Sequence, residues 1–477
     1  MTHAEAVAFL NDLEKRHDVQ NMLFGRVRVW PVIRLSVGEQ LLAEHLAPGN
    51  HVLGSKHSNS GRLTALTKGL VHGVLGRYRL QQADLLFNTH SVQLTNLGGK
   101  RVDRFAHPIL EAATSLGLRT CIVEHAGGST TAFPELGRAY RFDASPSLNA
   151  HAMIHWLGRA PRAQEVQGLL PLLEEVRVAH PSFRAASLED RLRNFTFYSR
   201  FHTRILQKVK PRCVFLVSWY NIEHMALVHA CNALSIPVVD LQHGVQGAAH
   251  LAYGRWHTVP TEGWSMMPRL FWCWDRTSTD NINSWSAHTP HQALVLGDPW
   301  LETTSGSAAT VHWKNDGRKR VLFTAQPLTD ILPDRLLDTI AKTLSTVQWI
   351  IRTHPNRPTM AATVSLRIQE ADLMDKVVID EAMGTPLAAL LKDCDLHVTQ
   401  YSSTVLEAAI MGVPSIAIHV SANGLYPELI ASGTLIVPNT DEALAAAMNM
   451  DRKPPVRVLD KRTMQQRLTT VLEALSR

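Results

Sequence analysis

The stretch Asp395–His419, DLHVTQYSSTVLEAAIMGVPSIAIH, decides the fold. Leu396 to Thr399 is an apolar run, Gln400-Tyr401-Ser402-Ser403 is a polar turn, and Thr404 to Met411 has helical spacing. Gly412 stands where a helix stops, and Pro414 to Ile418 is a second apolar run. A strand, a helix and a strand joined this tightly predict a parallel sheet, because parallel neighbours need a crossover between them. The turn that leaves the first strand then lies at the carboxyl edge, where open α/β sheets take their ligands.

In the first turn of a helix the backbone N–H groups lack partners within the helix, and the dipole adds partial positive charge. Ser402, Ser403 and Thr404 add hydroxyls there, a set suited to a phosphate. Thr404 and Glu407 also have the Thr-x-x-Glu spacing of a capping box, so these residues alone leave both readings open. Two upstream segments bear on the choice. Trp349 to Ile351 runs into Arg352-Thr353-His354-Pro355, and Arg320 to Thr324 runs into Ala325-Gln326-Pro327. As parallel neighbours these runs bring Arg352, His354 and Gln326 to the same edge. A guanidinium fork and an imidazole beside hydroxyls suit an anionic ligand.

The Arg-x-His-Pro segment, then Tyr-Ser-Ser and a helix carrying Glu-Ala before Gly-x-Pro, resembles the carboxyl-terminal domain of GT-B glycosyltransferases. Within that group it is most similar to enzymes of bacterial surface polysaccharides: Kdo transferases, polysialyltransferases and polyol-phosphate polymerases. The resemblance runs from roughly Cys213 to the carboxyl end and rests on the order and spacing of short motifs. It implies an α/β protein of GT-B type, two doubly wound Rossmann-like domains facing a central cleft. It also implies that His354, Ser402 and Ser403 hold the phosphate of a CMP- or CDP-linked donor, with Glu407 on the ribose. Gln326, Arg352, Tyr401 and Thr404 complete the expected donor set.

A chain of 477 residues exceeds one ordinary core and points to two domains. The apolar fraction of 45% and charged fraction of 19% are those of a globular protein. Cys121, Cys213, Cys231, Cys273 and Cys394 lie far apart, which excludes the paired spacing of a zinc or redox centre and reads as reduced core residues. Neither a signal peptide nor an apolar run of about eighteen residues is visible, so a cytoplasmic protein is expected, with contact at the cytoplasmic face of the inner membrane open to it. The net charge of +6 favours anionic donors, acceptors or lipid headgroups. No nucleic-acid motif accompanies it, and nucleic acid is not expected as a partner.

Expected boundaries are an acceptor domain over 1–300, a nucleotide-sugar domain over 319–455, and a final helix within 456–477 that the resemblance packs back on the first domain. Met1 to Leu80 is poorly periodic, and its segment Arg62 to Leu80 carries cations among apolar residues that suit a membrane surface or, with three glycines weakening a helix, an ordinary surface or core segment. Strands are predicted at Asp84–Asn88, Thr120–Val123, Cys213–Val217, Ile236–Leu241 and Leu294–Gly297. Helices are predicted at Pro108–Leu116, His151–His180, Phe195–Lys210 and Glu223–Leu234, and Asp298–Arg318 reads as a polar hinge. The paired Gly127 and Gly128 after a strand suit close backbone approach or a plain turn. Trp272 and Trp274 read as packing residues, whereas Trp256 and Trp264 stay open as loop contacts to a sugar.

The carboxyl edge of the first domain offers Asp240, His243, Glu124, Glu223 and His125 for proton transfer. Asp240 suits the covalent nucleophile that the resemblance to retaining Kdo transferases implies, or a buried hydrogen-bonded carboxylate. Asp393-Cys394-Asp395 matches an Asp-x-Asp metal signature but precedes its strand, at the wrong edge, so no metal is expected. The expected activity is a metal-independent transfer of a sugar from a CMP-sugar, Kdo ahead of sialic acid, without a further cofactor. The acceptor is an oligosaccharide or lipid-linked glycan of lipopolysaccharide or capsule. The alternatives are a CDP-polyol phosphotransferase and a nucleotide-sugar 2-epimerase.

Overall fold

The computed structural model describes residues 1–43, 80–97, 100–125, 139–145, 148, 162–306, 313–354, 357, 359–381, 385–451 and 462–476. Most of the segment Arg62–Leu80, the Gly127-Gly128 pair, the first part of the expected helix His151–His180, Pro355 and the expected boundary at 455–456 fall outside them. The chain divides into two compact units, one made of Met1–Leu94, Asp103–Gly297 and Arg462–Arg477, the other of Thr95–Val102 and Asp298–Lys461.

The first unit holds a seven-stranded sheet. Its strands are β1 (Leu85–His90), β2 (Thr120–His125), β3 (Ala139–Asp143), β4 (Cys213–Val217), β5 (Val238–Leu241), β6 (Leu270–Cys273) and β7 (Gln292–Val295). They lie in the order β3-β2-β1-β4-β5-β6-β7, and every pairing is parallel. Cys213 to Val217 reads CVFLV and is buried throughout, as a strand covered by helices on both faces must be. The rings of Phe87 and Phe215 stack at 4.9 Å across the β1–β4 pair, within this core.

Two helices, His3–Arg16 and Trp30–Ala43, occupy the amino-terminal segment expected to be aperiodic. Thr2 caps the first through a reciprocal capping box with Glu5. The second is buried nearly all round, so it carries no amphipathic stripe for the sequence to display. Its Arg34 is fully buried against Glu14, and the guanidinium stands 4.2 Å over the Trp256 ring. Trp256 and Trp264, left open as sugar contacts, are 3% and 1% exposed and belong to the core.

The second unit holds a six-stranded sheet of β8 (Lys319–Thr324), β9 (Val347–Arg352), β10 (Val378–Asp380), β11 (Leu396–Thr399), β12 (Ser415–Ala417) and β13 (Leu435–Ile436). The order is β10-β9-β8-β11-β12-β13, again wholly parallel. Counted along the chain, both sheets follow 3-2-1-4-5-6, the order of a doubly wound dinucleotide fold, with one strand added at the end of the first. In such an order the carboxyl edge opens a crevice where the winding reverses, between β1 and β4 in one sheet and between β8 and β11 in the other.

The expected hinge Asp298–Arg318 begins as a helix, Pro299–Thr304, because the Asp298 carboxylate accepts from the N–H groups of Trp300 and Leu301 and Pro299 opens the first turn. The final helix, Met464–Leu475, starts at a Thr463–Gln466 capping box and packs on the helix His107–Ser115 of the first unit. All five cysteines are buried thiols. Among the described residues no helix is long and apolar enough to cross a membrane.

Candidate functional site

At the carboxyl edge of the second sheet, four adjacent parallel strands deliver their loops side by side: β9 into Thr353-His354, β8 into Ala325-Gln326, β11 into Gln400–Ser403, and β12 into Ile418-His419. At about 4.8 Å per strand the row spans roughly 15 Å. Gln326 closes the crevice at the reversal point, where its Oε1 accepts from the Tyr401 N–H at 2.7 Å. Below it, His397 is fully buried between β8 and β12, 2.9 Å from the Thr324 hydroxyl and 3.0 Å from that of Ser415. Burial depresses this imidazole to about 3, so it is a neutral brace of the central strands.

Ser402, Ser403 and Thr404 do not form the expected capping box with Glu407. The helix begins at Thr404 with Ser403 as its cap residue, and no side chain caps it. Ser402 turns inward: its Oγ lies 3.0 Å from Thr404 Oγ1 and accepts from the Thr404 N–H at 3.3 Å. The partly exposed Ser403 hydroxyl makes no hydrogen bond among the described residues. Glu407 sits one turn into the same helix, half-buried. The Tyr401 ring is 5.0 Å from that of His419, an exposed imidazole at the same edge that the sequence reading did not single out. Its place straight after the run Pro414–Ile418, matching Gln400 after Leu396–Thr399, was the available signal.

His354 is half-buried at this edge, and its N–H meets Met360 Sδ at 3.3 Å. The Arg352 guanidinium donates to the buried Asp380 carboxylate at 2.5 Å, tying the ends of β9 and β10 together at the base of the His354 loop.

The first sheet ends differently. Asp240, expected as a nucleophile, is 0% exposed, and its two oxygens accept from the Trp219 N–H at 3.1 Å and the Tyr253 hydroxyl at 2.6 Å. Burial raises it to about 8 against the pull of those bonds, so at neutral pH it is a protonated structural carboxyl. His243 stands 3.0 Å from Ser218 Oγ and is brought down to about 4 by burial and then by Arg104 and His224. Its ring nitrogen faces Ser218 and Tyr220, not Asp240. Glu124 is buried on β2 opposite Asp143, one residue short of the strand end.

It is His125, the next residue, that meets a carboxylate. Its Nε2 lies 2.9 Å from Oε1 of Glu223, and His202 Nε2 approaches the same oxygen at 3.6 Å. Asn88 on β1 joins them: its Oδ1 is 3.1 Å from His125 Nε2 and its amide nitrogen 2.8 Å from His224 Nε2. Burial alone lowers an imidazole, but Glu223, helped by Asp143 and Glu124, holds His125 above its ordinary value. Burial pushes Glu223 up, and His125 with His202 reverses this, leaving it well below the usual carboxylate range. Beside the group, Ser218 at the end of β4 holds a φ of 63°, a left-handed conformation that a non-glycine residue keeps only when its surroundings impose it.

The strand order, the parallel pairing and the two reversal points define an α/β protein of two doubly wound units with Rossmann-type sheets. No family model matches the sequence, and neither does a curated protein. Solved structures similar to it include the UDP-GlcNAc 2-epimerase of Methanocaldococcus jannaschii, at 13% identity over 82% of this chain and 99% of that one, with a TM-score of 0.47. The Neisseria meningitidis UDP-GlcNAc 2-epimerase bound to UDP-GlcNAc aligns over 82% of this chain and 99% of its own at 14% identity, with a TM-score of 0.46. The glycosyltransferase SnogD of Streptomyces nogalater aligns over 83% and 96% at 15% identity, with a TM-score of 0.39.

Proposed function

We propose that this protein is a GT-B glycosyltransferase that moves a sugar, Kdo ahead of sialic acid, from a CMP-linked donor. The acceptor is an oligosaccharide or lipid-linked glycan of lipopolysaccharide or capsule. One observation carries the reading: His354, Gln326, Tyr401 and Ser403 share the carboxyl edge at the reversal point of the second sheet. That edge is where a doubly wound sheet holds a nucleotide. The Ser403 hydroxyl, backbone N–H groups of the 402–404 turn and the His354 ring would receive the donor phosphate, and Glu407 the ribose. Donors already in place stabilise the charge that gathers on the phosphate as the sugar leaves. Arg352 contributes by fixing the His354 loop through Asp380.

Thermal melting of the full chain with CMP, CDP, UDP and GDP tests this, since a ligand that binds the folded state raises the melting temperature. CMP is expected to give the largest rise. A CDP preference, with phosphate retained in the product linkage, replaces the reading by polyol-phosphate transfer. A UDP preference with sugar conversion in the absence of any acceptor replaces it by 2-epimerisation, and four unshifted curves reject a nucleotide site.

A further inference from the structure

The core of a doubly wound unit is ordinarily apolar, and a desolvated carboxylate is costly unless it is paired. Yet Glu223, His125, His202, His224 and Asn88 gather beside the one place in the first sheet where the winding reverses. The Asn88 amide nitrogen lies 2.8 Å from His224 Nε2, and His224 Nδ1 lies 2.8 Å from the Asn221 amide nitrogen and 3.1 Å from the Ser218 carbonyl. Asn88 Oδ1 lies 3.1 Å from His125 Nε2, and Glu223 Oε1 stands 2.9 Å from the same atom as an ion-pair contact. A carboxylate at that distance favours the hydrogen on Nε2, which leaves the lone pair of the neutral ring on Nδ1.

We propose, on the glycosyl-transfer reading given above, that His125 and Glu223 are the proton-transfer pair of this protein, His125 taking the proton of the attacking hydroxyl and Glu223 positioning the imidazole. In this step the acceptor O–H bond breaks, its proton passes to His125 Nδ1, and its oxygen bonds to the anomeric carbon of the donor sugar. The bond from that carbon to the phosphate oxygen breaks, and its electron pair stays on the phosphate. The Glu223 carboxylate stabilises the imidazolium that results, as the acid of a nucleophile–base–acid triad does.

The surroundings favour charge on His125 over its neighbours. Glu223, Asp143 and Glu124 support it, whereas burial holds His90, His202 and His224 below their ordinary values. Tyr198 also faces Glu223, and burial followed by that carboxylate raises its hydroxyl to about 12, so it stays protonated. His90 stacks on His125 at 6.3 Å and is exposed, marking the side from which solvent reaches the pair.

The test compares the full-length protein with its His125→Gln and Glu223→Gln variants, using the nucleotide sugar it turns over, across about pH 5 to 9. Nucleotide affinity is measured by calorimetry with CMP, CDP, UDP and GDP. His125→Gln is expected to lower kcat by about 10²–10³-fold with nucleotide affinity retained. Glu223→Gln is expected to move the acid limb of kcat/KM to lower pH, because burial then acts on the imidazole with only Asp143 and Glu124 against it. A Glu223 that only supports the fold lowers the melting temperature and leaves that limb in place, and this result overturns the pair. So does a His125→Gln protein that turns over at the parental rate. Should His125→Gln fail to fold, the Glu223→Gln profile decides alone. A parent chain that binds none of the four nucleotides overturns the nucleotide reading and the pair together, whereas a bound nucleotide with an unmoved limb overturns only the pair.

Discussion

At the carboxyl edge of the first sheet the polar side chains are buried and bonded to one another, while at that of the second they are half-exposed and loosely committed. The strand order beneath the two is the same. Topology therefore fixes where a crevice opens, and desolvation decides what the crevice can do. Imidazoles and carboxylates taken out of water have their proton affinities shifted by burial and by one another, which suits proton movement near neutrality. Hydroxyls and an amide that keep contact with water retain ordinary protonation and suit a ligand that brings its own charge.

The contrast is broken most severely at the second edge. His354→Ala is expected to lower transfer by about 10²–10³-fold, the loss seen when one preorganised donor to a developing anion is removed, with an unchanged melting temperature. Steady-state kinetics and calorimetric melting check it, and undiminished turnover removes His354 from the site. Next in size is Asp240→Ala in the first unit. It strands the Trp219 N–H and the Tyr253 hydroxyl in the interior and is expected to cost about 2–4 kcal/mol in urea unfolding. Asp240→Asn keeps an acceptor there and is expected to retain most of its turnover, whereas a nucleophile would lose it altogether.

The smallest effect is that of acid. His224, His243, His250 and His291 in the first unit titrate at about 3 to 4 when folded and at 6.5 when unfolded. Between those values the unfolded chain binds protons that the folded one refuses, so this stability is present above pH 6.5 and lost as pH falls toward 4. Asp103 and Asp240, raised by burial to about 6 and about 8, act in the opposite sense but are fewer. In the second unit the depressed His397 and the raised Asp380 offset one another. Hydrogen exchange followed by peptide at about pH 7 and 5 should therefore show protection lost from the first unit before the second. Equal loss from both removes the electrostatic half of the contrast.

The second unit was legible because its signals are local. Alternating apolar runs and a helix between Asp395 and His419 each declare their own period, and the order of segments places their turns at one edge. The short strands β10 and β13 carried too few residues to show a pattern and exist through pairing with longer neighbours. In the first unit the amino-terminal helices escaped notice because a helix buried all round displays no stripe. The pairing of Asp240 with Tyr253 instead of His243, and of Arg352 with Asp380, was equally hidden. Such partners lie on different elements, and sequence spacing says nothing of which buried carboxyl reaches which donor. His125 and Glu223 were visible as edge residues, but only the fold brings two residues so far apart in sequence within 2.9 Å.

The first unit is discontinuous, and its last piece, the helix Met464–Leu475, is docked on His107–Ser115. On the ribosome that helix emerges only after the whole of Asp298–Met450 has been made. The second unit can thus complete itself while the first still lacks a wall, and a chain released early would leave the helix His107–Ser115 without its covering partner and open to chaperones.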